Sequence, residues 1–204
     1  MIKKIVHSKP TKYLKKHLPT LENLWRKNII PYVQIIDEKT FSTTFMPSDS
    51  IPNYDVVDIS RTQRLFNVFQ EKQEDWYEHL DRANSFLNSL GYLLPNPDFS
   101  QHGLIHGDLN TNNIVVSGGK PVFIDLEHVK NGPLAYDLAR PLLRFAKNRR
   151  EEYLEAYFGT DTQLSKDELK EGELFFYAIQ AYERNRLLLF NDVKQSIALL
   201  EKYL

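Results

Sequence analysis

A chain of 204 residues that is 42% apolar and 26% charged has the ordinary make-up of a soluble globular protein of one or two compact units. It has no cysteine, which excludes disulfides, thiolate metal sites and a cysteine nucleophile and fits a cytoplasmic setting. A formal charge of -1 argues against a general nucleic-acid binder. The N-terminus lacks the apolar stretch of a secretory signal, and no run approaches the ~20 apolar residues that span a bilayer, so no membrane partner is expected.

Residues 1–47 read as strand, helix, strand, strand. Residues 2–6 form a short β-prone run, and Leu14, Leu18, Leu21, Leu24 and Trp25 recur at helical spacing. This segment is basic, with Lys3, Lys4, Lys9, Lys12, Lys15, Lys16, Arg26 and Lys27 against a single acid, Glu22. Such a run is either the solvated face of one helix or a set of cations that meets phosphate. Residues 32–36 and 40–45 are β-branched and aromatic runs around Asp37-Glu38-Lys39, which suits a hairpin. Residues 47–55, with Pro47, Pro52 and Asn53, read as a linker.

From about Thr62 the pattern is helical. Leu65, Phe66 and Phe69 form one apolar face; Trp76, Leu80, Ala83, Phe86, Leu87 and Leu90 form another before Gly91. Residues 95–103 read as loop. Further on, Pro133 opens a helix with Leu138, Leu142, Leu143 and Phe145, and helices are expected over 149–158, 166–182 and 184–203. The second half is thus one hairpin among helices.

Chemistry concentrates between residues 104 and 127. The stretch Leu104-Ile105-His106-Gly107-Asp108-Leu109-Asn110-Thr111-Asn112-Asn113 leads into a β-prone run, then Gly118-Gly119, then a second run ending at Asp125-Leu126-Glu127. Two glycines between β-branched flanks predict a hairpin whose turn takes positive φ. Folding about them pairs residues whose numbers sum to about 237 or 238, which sets Asn113 opposite Ile124 or Asp125. Magnesium takes hard oxygen ligands and is held by one or two carboxylates plus waters and substrate phosphates, a requirement that Asn113 and Asp125 meet. Asp108, held off the metal, can orient and deprotonate an acceptor hydroxyl. Taken singly, Asp108, Asn110, Asn112 and Asn113 are also ordinary turn formers.

These residues resemble the aminoglycoside phosphotransferase and choline kinase superfamily, whose fold is similar to that of protein kinases. The pattern H-x-D-x-x-x-x-N, followed on the next strand by a metal-binding Asp, is met by His106, Asp108, Asn113 and Asp125. The resemblance implies an α+β, two-lobed fold: a shortened N-terminal lobe over 1–47 and a mainly helical C-terminal lobe over 48–204. It implies a phosphotransferase that moves the γ-phosphoryl group of ATP or GTP, with magnesium, to a hydroxyl of a small molecule. Asp108 would be the catalytic base, Asn113 and Asp125 the magnesium ligands, and His106 a packed support of the loop. Asp137 resembles the downstream Asp that braces that loop, and is otherwise a plain helix-start acid. Glu127 resembles a position near the acceptor pocket, where it attracts a cationic substrate or stands as a solvated strand-end acid.

Asn110 stands where protein kinases carry a lysine, and Asp125-Leu126-Glu127 replaces Asp-Phe-Gly; both favour small-molecule kinases. Asn112 occupies a position often held by glycine, and Asn tolerates left-handed geometry best among the other residues. For the nucleotide, the resemblance points to Lys3 or Lys4 on phosphate, Glu22 as its ionic partner, and the backbone of Phe45-Met46-Pro47 on adenine. No glycine precedes Gly91, so a glycine-rich phosphate loop has no counterpart. Two other readings therefore stay open: a noncatalytic pseudokinase or binding module without a complete nucleotide site, and an atypical protein kinase.

Overall fold

The computed structural model describes residues 4–7, 12–44, 46, 55–68, 76–160 and 164–204, except the side chains of Lys4, Ile5, Val6 and Tyr13. Near the N-terminus, β1 (Lys4–His7), β2 (Val33–Ile35) and β3 (Phe41–Thr44) form an antiparallel sheet in the order β1-β3-β2. Thr43 of the central strand faces Ile5 on one side and Val33 on the other. Helix α1 (Lys12–Arg26) separates β1 from β2 and buries Leu14, Leu21 and Leu24 as one stripe, leaving Lys12, Lys15, Lys16 and Arg26 in solvent. That distribution is what an amphipathic surface helix requires.

Past residue 54 the chain is mainly helical. Its helices are α2 (Val56–Phe66), α3 (Tyr77–Ser89), α4 (Leu134–Leu143), α5 (Arg150–Phe158), α6 (Lys166–Arg186) and α7 (Phe190–Leu200). Helix α6 is the spine. Its start carries a capping box, in which the Ser165 hydroxyl accepts from Glu168 N–H at 3.0 Å and Glu168 accepts from Ser165 N–H at 3.1 Å. It crosses α4 so closely that a Cβ on Gly172 would lie 2.4 Å from the Ala135 carbonyl oxygen, so only glycine fits. Trp76, 1% exposed, meets Tyr77, Phe99, Tyr136 and Phe175 edge-on and ties α3, α4 and α6 into one core.

Two strand pairs serve the site. Strands β5 (Ile114–Ser117) and β6 (Lys120–Phe123) form the hairpin, with Ile114 facing Phe123, a register sum of 237 as the sequence predicts. Gly118 and Gly119 both take positive φ, 60° and 74°, which matches the twist of a two-residue hairpin. The Phe123 N–H donates to the Ile29 carbonyl at 2.8 Å and joins the hairpin to the segment after α1.

Three expectations are corrected. Strand β4 (His102–Ile105) begins inside the stretch read as loop and pairs antiparallel with β7 (Lys130–Pro133), so the second half holds two strand pairs. Asn, Gly and Pro give β7 little strand propensity of its own; pairing with β4 makes it a strand. Helix α2 starts at Val56, six residues before Thr62, because the Asp55 side chain caps it from Val57 N–H and Val56, Ile59, Gln63 and Phe66 share its buried face. The last two helices divide at Leu187-Leu188-Leu189, after residue 186, where Leu188 takes φ 58°. Among the described residues no helix is long and apolar enough to cross a membrane.

Candidate active site

Strand β4 delivers the chain to His106, which is completely buried. Its Nε2–H donates to the Ile124 carbonyl at 2.9 Å, and its ring packs against Phe66 and Phe123. Burial lowers its pKa, against the opposing pull of Asp137, so the ring is neutral. The side chain therefore pins the loop before Asp108 to the strand that leads to Asp125, and has no path to solvent for a proton.

Gly107 turns the chain with φ 77°, and a Cβ there would lie 2.7 Å from the His128 carbonyl oxygen. Its N–H donates to Asp137 Oδ1 at 2.9 Å. Asp137, on α4 and 3% exposed, also accepts on Oδ2 from Asn67 Nδ2 at 2.8 Å and Gln63 Nε2 at 3.1 Å. The hydroxyls of Tyr157 and Tyr153 donate to the amide oxygens of Asn67 and Gln63, at 2.9 and 2.6 Å. The Asn67 amide also donates to the Leu104 carbonyl at 2.9 Å and that of Gln63 to the Asp137 carbonyl at 3.1 Å, and from the tyrosine hydroxyls inward the hydrogen bonds run toward the Asp137 carboxylate.

Asp108 follows in a half-buried position. Its Oδ2 accepts from Asn113 Nδ2 at 2.9 Å and Asn110 Nδ2 at 3.2 Å, and its carbonyl accepts from the same amides at 2.8 and 3.1 Å. Asn110 Oδ1 in turn caps a short helical turn, Thr111–Asn113, from Asn112 N–H at 2.8 Å. That turn is right-handed, so Asn112 does not take the left-handed geometry expected of it. Asn113 directs its amide hydrogens at Asp108, which leaves Oδ1 as its remaining acceptor. The Ile124 N–H donates to the Asn113 carbonyl at 2.9 Å, so Asp125 stands one residue beyond the partner of Asn113. Asp125 is held in left-handed geometry (φ 60°, ψ 61°), a conformation that costs a non-glycine residue about 1–2 kcal/mol.

The Asn113 amide oxygen and the Asp125 carboxylate are hard oxygen donors of the kind magnesium takes, so the residues present fit that ion. Among the described residues no cluster of three or more His, Asp or Glu is arranged to hold a metal. Glu127 lies in the turn after Asp125 with its carboxylate 3.2 Å from His128 Nε2. Glu22 is exposed on α1 and pairs with Arg26 at 2.7 Å. Met46 is half-buried; Lys3, Phe45 and Pro47 lie outside the described residues, and of Lys4 only the backbone is described, opposite Thr44. The structure thus ties His106, Asp108, Asn113 and Asp137 to one loop by hydrogen bonds and sets Asp125 one residue past the strand partner of Asn113, with Glu22 exposed on α1.

Arg140 is the site residue that sequence reasoning missed. It forms an ion pair with Asp108 Oδ1 and stands one helical turn after Asp137 on α4. The three-residue spacing from Asp137 is the only trace it leaves in the sequence, since residues three apart share a helix face. A cavity of about 380 Å³ opens beside Asp108 between α4 and α6, and Arg140 lines it. A larger one, about 870 Å³, lies beyond α6 around Arg150 and Tyr203 and includes none of these residues.

A model of the phosphotransferase enzyme family matches residues 54–171. The chain belongs to that family. Solved structures share the fold: an ethanolamine kinase of Plasmodium vivax superposes with a TM-score of 0.67 at 14% identity, over 99% of this chain and 75% of that one. A choline kinase of Streptococcus pneumoniae gives 0.65 at 17%, over 99% and 87%. A type I macrolide 2'-phosphotransferase gives 0.61 at 12%, over 98% and 83%. No curated protein sequence matches. The fold of this phosphotransferase-family chain is accordingly kinase-like and α+β, with a small β-containing N-terminal region and a mainly helical remainder.

Proposed function

We propose that the chain transfers the γ-phosphoryl group of ATP, with magnesium, to a hydroxyl of a small molecule bound in the cavity beside Asp108. One observation carries the reading: Asn113 bonds directly to Asp108, and the hairpin register returns Asp125 next to Asn113. The choline and ethanolamine kinases of like fold support a small-molecule acceptor.

In this reading Asp108 Oδ2 takes the proton of the acceptor hydroxyl, whose oxygen forms a bond to phosphorus as the terminal phosphoanhydride bond breaks and ADP leaves. Asn113 and Asn110 fix the Asp108 carboxylate in orientation, and Arg140 neutralises its charge between turnovers. Asn113 Oδ1 and Asp125 would hold magnesium, which when bound neutralises charge on the transferred phosphoryl group. His106 and Asp137 hold the loop from behind, so the base does not reorganise during the reaction. Lys4, Glu22 and the Met46 backbone remain the proposed nucleotide contacts, and Glu127 the proposed acceptor contact.

The test is transfer by the purified chain, with ATP and magnesium, across a broad panel of hydroxyl acceptors. Turnover should fall by about 10²–10⁴ in Asp108→Asn, the usual worth of a positioned base. Turnover that ignores the substitution would sink the assignment. A purely binding role predicts instead no magnesium-dependent nucleotide affinity. At 100 times its Kd a nucleotide stabilises the fold by ~2.7 kcal/mol, which thermal melting detects.

A further inference from the structure

Helix α6 walls the cavity beside Asp108 along one face. Phe176, Ile179, Gln180, Glu183 and Arg184 line it at helical spacing, and so does Leu187, which caps the helix. From Phe176 to Leu187 the helix rises roughly 16 Å, so the cavity is elongated. Its volume of about 380 Å³ lies within the ~300–1,000 Å³ of pockets that enclose drug-sized ligands. One ligand can therefore meet Asp108 and still reach Leu187 and Leu189, which line the same cavity.

Beyond that wall the surface is apolar. Leu187, Leu188 and Leu189 join α6 to Phe190, the first residue of α7, and the four are 63%, 71%, 45% and 61% exposed. Consecutive large apolar residues in solvent mark a binding surface. The connection is fixed in place, since Arg184 Nη1 donates to the Asp192 carbonyl at 3.0 Å and to the buried Ser196 Oγ at 2.7 Å.

The backbone at Leu188 is held in a conformation that suits another residue. Helix α6 ends in a Schellman turn: Leu189 N–H donates to the Arg184 carbonyl and Leu188 N–H to the Asn185 carbonyl, both at 2.9 Å, which puts residue 188 at φ 58°. Glycine is the unstrained residue there. The other non-glycine residues at positive φ among those described are Asn28 and Asp125, types that tolerate it, whereas leucine does not. Backbone stability alone thus favours glycine at 188, and the leucine adds apolar surface between two residues that line the cavity.

We propose that the acceptor is an alcohol with an apolar arm: its hydroxyl lies at Asp108, its head within the cavity, and its alkyl or aryl arm over Leu187 and Leu189 with the end against Leu188. The proposal rests on the preceding reading in taking this cavity as the acceptor site, and it keeps Glu127 as the contact of the head. A short acceptor leaves these leucines in water, and an arm several carbons long removes them from it.

Calorimetric titration of the full chain with two pairs of alcohols tests it, with and without magnesium-ADP. The pairs are choline against N-hexyl-N,N-dimethylethanolammonium, and 2-methoxyethanol against 2-hexyloxyethanol. Within each pair only the alkyl group grows, from methyl to hexyl, so the charge of the head cancels in the ratio of affinities. A fully buried methylene is worth about fourfold and a half-covered one about twofold, so the longer member of a pair should bind at least about tenfold tighter. Leu187→Ser should cut that ratio to below about threefold. Leu188→Gly, unstrained at its φ, should melt no lower than the parent and also lower the ratio. Three results overturn the proposal: neither pair reaches tenfold, neither variant lowers the ratio, or sedimentation shows a parent dimer that Leu188→Gly makes monomeric, the leucines then covering each other between copies. Its failure is separable from that of the kinase reading: arm-dependent binding stands even where magnesium-ADP does not bind, and magnesium-ADP binding stands even where the arm gives no gain.

Discussion

Asp137 is the residue whose removal the network makes most costly to the fold. It receives three donors, from Gly107, Asn67 and Gln63, in a position 3% exposed. Asp137→Ala removes the carboxylate from all three in a dry interior: Gly107 N–H is stranded outright, while the Asn67 and Gln63 amides keep only the Leu104 and Asp137 backbone carbonyls, and each unsatisfied buried donor costs about 1–3 kcal/mol. The penalties are not additive, so the low end of each gives a loss of about 3 kcal/mol, against the ~5–15 kcal/mol that holds a domain together. For a chain of this length that lowers Tm by about 6–12 °C. Asp137→Asn keeps the shape but sets its amide hydrogens against either Gly107 N–H or the Asn67 and Gln63 amides, and those two cannot flip because their oxygens already accept from Tyr157 and Tyr153. It should therefore lose a comparable share. Thermal unfolding followed by circular dichroism reads both variants. An Asp137→Asn protein that melts within about 1 °C of the parent would refute the fixed polarity of the network.

The remaining predictions concern single contacts. Gly107→Ala combines a positive φ with a Cβ 2.7 Å from the His128 carbonyl; it should cost about 2 kcal/mol and depress turnover even where the protein stays folded, read by melting and transfer assay together. Gly172→Ala must push α6 from α4 and should lower Tm by about 6–12 °C, from overpacking of up to ~3 kcal/mol, whereas Gly118→Ala, in open space, should lower it by only about 2–4 °C. The hydrogen bond from His79, followed by the opposing effect of burial, holds the Glu183 carboxyl below its ordinary value. A depressed acid stabilises above its unfolded pKa and loses that contribution as pH falls through the folded value. Urea unfolding should thus show Glu183→Gln less acid-sensitive than the parent below about pH 4.5, with a difference at pH 7 under about 1 kcal/mol because the pair is partly exposed.

The elements that the sequence announces are those set by local chemistry. Gly118-Gly119 between β-branched flanks dictates the hairpin and its register, and with them the place of Asp125 one residue past the backbone partner of Asn113, because a two-residue turn leaves one way to pair the strands. The His106-to-Asn113 spacing is likewise local, since five residues of loop carry Asp108 back to Asn113. Strand β7 is different: Lys130-Asn131-Gly132-Pro133 has no β character until Ile105 and Leu104 lie beside it. The break at Leu187-Leu188-Leu189 carries no glycine or proline, so helical periodicity runs through it unmarked.

Residue types at fixed short spacings thus named the chemistry and the family, because the reacting groups sit on one loop and one hairpin. The choice of Arg140 as the cation on Asp108 and the donors that face Asp137 were decided by the packing of α2 and α4 around that loop. Each joins residues about 30 to 75 positions apart in the chain, and contacts over such separations are set by the shape of the core, which no local pattern encodes.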